Sequence, residues 1–66
     1  MSEYIKIPVY YNSEYFDSLE YLKVMTADDR EQLIDDAMDV LDGMEVNSIH
    51  VGANKFNHLA VFAESD

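Results

Sequence analysis

The chain has no cysteine and no tryptophan, one proline, two glycines and four cations among its 66 residues. Without cysteine there is no disulfide staple and no thiolate metal site. Gly43 and Gly52 stand in no phosphate-cradling pattern, which sets aside the common nucleotide-binding signatures. No basic start followed by an apolar run reads as a signal peptide, and no apolar run approaches the roughly 20 residues of a membrane span. A soluble, cytoplasmic protein is the simplest expectation. Four cations against 14 carboxylates leave a net charge of −10. A surface of that sign repels nucleic acid and anionic membrane, and its natural partner is a basic protein surface.

What the chain does contain is apolar enough to fold: 48% of residues are hydrophobic, with five tyrosines and three phenylalanines. Acidic disordered tails lack that content. A single domain of this length buries only about 60% of its unfolded surface, so its core is thin. Tyr4 to Tyr11 alternates, with Ile5, Ile7, Val9 and Tyr11 on one face and Tyr4, Lys6, Pro8 and Tyr10 on the other, as in a half-buried strand. Pro8 cannot donate to a ladder, which predicts a sheet edge, or a Pro8 facing away from its neighbour. Asn12, Ser13 and Glu14 break the pattern. Between Tyr15 and Met25 a helical turn through Phe16, Leu19 and Leu22 competes with a short strand. A loop followed by a strand from about Glu20 to Met25 is expected.

From Ala27 to about Asp42 the spacing predicts a helix. Leu33, Ile34, Ala37, Met38, Val40 and Leu41 share one arc, with Met44 continuing it. Thr26 is the expected N-cap with Asp29 completing a capping box, and Gly43 the expected C-terminal glycine. Two strands follow, Glu45 to Val51 and Lys55 to Ala63, joined by Gly52, Ala53 and Asn54. The fold class is therefore α+β, ββαββ, one amphipathic helix on a three- or four-stranded antiparallel sheet. Glu64, Ser65 and Asp66 are expected to fray.

The polar side of that helix is acid without balancing base. Arg30 is the single cation among Asp28, Asp29, Glu31, Asp35, Asp36, Asp39 and Asp42. Carboxylates three or four residues apart repel, at roughly 0.2 to 0.5 kcal/mol per pair. Asp28 and Asp29 are explained by capping and the helix dipole, and Glu31 partly so. Asp35, Asp36, Asp39 and Asp42 are not, and the last two stand where the dipole favours cations. With Glu31 they are the candidate partner-binding residues.

Chemical motifs are otherwise missing. Asp39, Asp42, Gly43 and Glu45 lack the oxygen ligands a calcium loop needs, because Met38 and Val40 occupy those positions. His50 and His58 would face each other in a hairpin centred on Asn54, whereas a turn at Ala53 and Asn54 would undo the pairing, and no third ligand is evident. No nucleophile context surrounds Ser13, Ser18, Ser48 or Ser65, and acids on a convex helix lack the pocket that drives two carboxyl pKa values apart. No enzyme, cofactor or metal is expected. Tyrosines crowd the first third of the chain, and Tyr4 and Tyr10, on the less apolar strand face, join the candidate contacts.

A very small, cysteine-free, strongly acidic domain with an acid-lined helix resembles the phage-encoded anti-defence proteins, including anti-CRISPR inhibitors and antirestriction DNA mimics. The resemblance covers size, composition and one helix, and no diagnostic motif. It implies an inhibitor that occupies a nucleic-acid-binding surface of a bacterial defence protein in the host cytoplasm. Two other readings remain open. One is an acidic inhibitor or antitoxin-like module acting on a basic enzyme through aromatic contacts. The other is a small homodimeric structural or adaptor domain pairing through the strand that begins at Tyr4.

Overall fold

The computed structural model describes residues 3–66. The chain runs β1 (Tyr4–Tyr11), β2 (Glu14–Leu22), α1 (Ala27–Val40), β3 (Ser48–Ala53) and β4 (Leu59–Glu64). This is the expected ββαββ order, with one helix on a four-stranded sheet. The sheet order is β2-β1-β4-β3. Both hairpins are antiparallel, but β1 and β4 run parallel in the middle, so the sheet is mixed and not antiparallel throughout. The helical crossover imposes this by carrying the chain from one edge strand to the other.

β1 consequently lies inside the sheet, which overturns the first of the two expectations for Pro8, a sheet edge, and leaves the second, a proline facing away from its neighbour. The parallel ladder with β4 begins only at Val9, one residue past Pro8, and continues to Tyr11. An interior strand thus accommodates a proline where its second neighbour has not yet begun to pair. The edges are β2 and β3, and the side of β1 that faces β4 pairs only from Val9 to Tyr11.

β2 begins at Glu14 and ends at Leu22, well before the expected span of Glu20 to Met25. Asn12 and Ser13 take φ of 50° and 70°, the left-handed values of a tight two-residue hairpin turn. Serine seldom adopts them, which hid the turn. The register slips between Val9 and Tyr10, so Phe16 is an extra residue between Tyr15 and Asp17. That bulge breaks the alternation by which a strand is recognised.

The last hairpin is also shifted. β3 starts at Ser48 and β4 at Leu59, each a few residues later than expected, and Gly52 and Ala53 belong to β3. The Asn54 side-chain oxygen accepts from the backbone N–H groups of Phe56 and His58, at 2.9 and 3.0 Å, and so organises a loop centred on Phe56. His50 therefore pairs with Phe62 and not with His58, which stays in the loop.

The helix forms as its caps dictate. The Thr26 hydroxyl accepts from the Asp29 N–H at 3.2 Å, and the Asp29 carboxylate accepts from the Thr26 N–H at 2.9 Å. Its regular part stops at Val40, with Leu41 as C-cap and Gly43 at φ 83° beyond it. Leu33, Ala37 and Leu41 are fully buried against Ile7, Val9, Val61 and Ala63 of the two central strands. Ile34 and Val40 are half-buried, whereas Met38 is exposed. Tyr11 ties the connection after the helix to β1 by donating to the Glu45 carbonyl at 2.6 Å. At the chain's end the Asn12 side chain bonds both the backbone N–H and the hydroxyl of Ser65.

Candidate functional site

Because α1 covers one face of the sheet only, the domain has two unlike outer surfaces. The first is the solvent side of the helix. Asp28, Glu31, Asp35, Asp39 and Asp42 are all exposed along it. Spacings of three and four residues put neighbouring acids about 5 to 6 Å apart. From Asp28 to Asp42 the column extends about 21 Å at 1.5 Å per residue. Among the described residues the one ion pair joins Lys23 to Glu3 at 3.3 Å and involves none of these acids. Between residues 28 and 42 seven carboxylates face Arg30 alone, a charge of −6. The column is left without an internal counterion.

Asp36 differs from its neighbours. Half-buried, it accepts hydrogen bonds from the Tyr21 hydroxyl and from Gln32 Nε2, the latter at 2.9 Å. These bonds, Tyr21's foremost, hold its carboxyl below the usual aspartate range despite partial burial. The Tyr21 phenol is pushed up, chiefly by burial and then by the Asp36 carboxylate. Asp36 thus fastens the helix to β2, and its role is at least partly internal. Sequence spacing alone had no way to distinguish it from Asp35, since Tyr21 arrives from another element.

The second surface is the uncovered sheet face. Register puts Tyr4 opposite Leu22, Lys6 opposite Glu20, Pro8 opposite Ser18 and Tyr10 opposite Tyr15 on this side. Phe62 and His50 extend the Tyr10 level across β4 and β3. A row of four rings results. Tyr15 meets Tyr10 edge to face at 6.3 Å, Tyr10 stacks on Phe62 at 5.4 Å, and Phe62 stacks on His50 at 5.4 Å. The Phe62 ring also reaches Gly52, passing at ordinary van der Waals distance, 3.7 Å, from where a Cβ would stand. A depression of about 320 Å³ beside the row is lined by Tyr10, Phe62, Ser13, Ala53, Asn54 and Lys55.

The candidate contacts therefore divide. Glu31, Asp35, Asp39 and Asp42 form one column on the helix, whereas Tyr4 and Tyr10 lie on the opposite layer and share no surface with it. Phe62 and His50 escaped sequence reasoning because the partners of Tyr10 follow from strand order. No group of three or more His, Asp or Glu side chains among the described residues is arranged to hold a metal ion. No helix of the described residues is long and apolar enough to cross a membrane. No protein family, curated protein or solved structure matches the chain.

Proposed function

We propose that this protein is an inhibitor that occupies a basic, nucleic-acid-binding surface of a bacterial defence protein, presenting the outer face of α1 in place of phosphates. The observation that carries this reading is the column Asp28, Glu31, Asp35, Asp39 and Asp42, exposed and without an internal counterion. Helix physics disfavours such a column, because each like-charged pair costs a few tenths of a kcal/mol. A lysine- and arginine-lined groove reverses that sign and steers the encounter over a long range. The spacing of the acids is broadly that of phosphates along a strand. Asp35, Asp39 and Asp42 form the centre of the contact and Glu31 its flank, with Asp36 contributing chiefly by anchoring the helix.

The test is affinity capture from a bacterial lysate at low and high salt, with and without competing duplex DNA. The expected ligand is a nucleic-acid-handling protein that salt and DNA both release and that the Asp35→Lys/Asp39→Lys double variant fails to capture. Capture that survives the double charge reversal, or that DNA does not disturb, removes the helix as a phosphate substitute. The rival inhibitor reading, through aromatic contacts, draws support from the ring row on the uncovered sheet face, in which Tyr15 and His50 are exposed and Tyr10 and Phe62 half-buried. It expects Tyr4→Ala or Tyr10→Ala to weaken capture more than any acid change.

A further inference from the structure

We infer that the uncovered sheet face docks a second copy of this chain, giving a weak face-to-face dimer with the two helices on its outer layers. The face differs from the rest of the molecule in charge. Its strand positions carry only Lys6, Glu20 and Glu64, a sum of −1 in a protein of −10, and Lys6 stands directly opposite Glu20. A like-charged copy is therefore tolerated here and nowhere along α1. Its centre is the stacked row of Tyr10, Phe62 and His50, flanked by Tyr15 at 62% exposure. Rings stacked on one another turn their edges to solvent, and ring edges are well matched to the aromatic faces and edges of an identical row.

Size sets the strength. Four strands about 4.8 Å apart and about six residues long at 3.3 Å each present roughly 400 Å² of projected area per copy. Two such faces give about 800 Å², below the roughly 1,200 Å² at which standard specific interfaces begin, so the dimer is weak and transient, with a Kd above about 1 µM. The acid columns do not prevent it. With layers about 10 Å apart, two sheets put the helices about 30 Å from each other, several times the roughly 8 Å Debye length at physiological salt. The dimer stands whether or not α1 binds a basic partner, and if it does, each dimer carries two outward columns.

Salt separates the two proposals, because a hydrophobic dimer of like-charged copies strengthens with salt whereas acid-to-base contact weakens. Analytical ultracentrifugation of the purified chain from a few micromolar to about 500 µM, in 50 and 500 mM NaCl, reads the first. The expected result is a mass that climbs from 7.6 kDa toward twice that value, sooner at high salt. Tyr15→Lys and Phe62→Lys, each checked for folding by circular dichroism, should remain monomeric throughout, while Asp35→Lys/Asp39→Lys still dimerises. Tyr15 is exposed enough that its variant keeps the test valid if Phe62→Lys unfolds. A monomer at the highest concentration in high salt overturns the inference, as does a dimer that Tyr15→Lys leaves intact, since that one forms through a strand edge or the helix.

Discussion

The outer face of α1 and the uncovered face of the sheet sit on opposite sides of one thin core, and they treat their polar groups differently. Along the column of Asp28, Glu31, Asp35, Asp39 and Asp42 the acids repel, and among the described residues no cation pairs with them. Across the sheet Lys6 faces Glu20, and the rings of Tyr10, Phe62 and His50 stack on each other. The helix face holds free energy that a cationic partner can release, whereas the sheet face is already satisfied and offers mainly area. One surface is suited to steering and the other to self-association.

Changes that break or sharpen this contrast can be ranked. The largest effect strikes both faces at once: Leu33→Ala opens a cavity beneath helix and sheet and should cost about 3 kcal/mol in urea unfolding. Next comes the Tyr21 to Asp36 link, which holds α1 on β2. Tyr21→Phe should cost about 1 to 2 kcal/mol, the worth of a hydrogen bond to a charged group. Asp36→Asn tests the same link through pH. The folded pKa of Asp36 lies below its unfolded value of about 3.9, so its contribution is present above that pH and fades as pH falls through the folded pKa. The variant's stability should accordingly fall less steeply below about pH 4 than the parent's, and an unchanged acid limb would show that Asp36 carries no such coupling.

Effects confined to one surface are smaller. Phe62→Ala removes both ring stacks and should lower stability by about 1 kcal/mol without altering capture by a basic partner. Asp35→Lys/Asp39→Lys should do the reverse, raising the unfolding free energy by about 0.5 kcal/mol as repulsive pairs with Glu31 and Asp42 become attractive, while abolishing that capture. A destabilised double variant would show that the column is compensated in a way its exposure conceals.

The legibility of the chain follows the range of each interaction. Thr26, Asp29 and the arc of Leu33, Ala37 and Leu41 announced α1 because capping and helical periodicity act within a few residues. β1 was legible for the same reason, through Ile7 and Val9. β2 was not, since Ser13 takes a conformation serine seldom visits and the extra Phe16 disturbs the alternation. The hairpin register escaped because one side chain, Asn54, lengthens the loop to centre on Phe56. Two asparagines flanking that loop were the available signal.

By itself, then, the sequence determined the acid column on a capped helix and the two-faced first strand, because charge spacing and periodicity are written locally. Only the tertiary structure decided that β1 runs inside a mixed sheet, that Asp36 is tied to Tyr21, and that Tyr10 joins Phe62 and His50 on the side away from the acids. Those outcomes depend on residues 12 to 52 positions apart. They are settled when the apolar side of α1 buries Ile7, Val9, Val61 and Ala63, a packing that brings β1 and β4 together and leaves the other sheet face open.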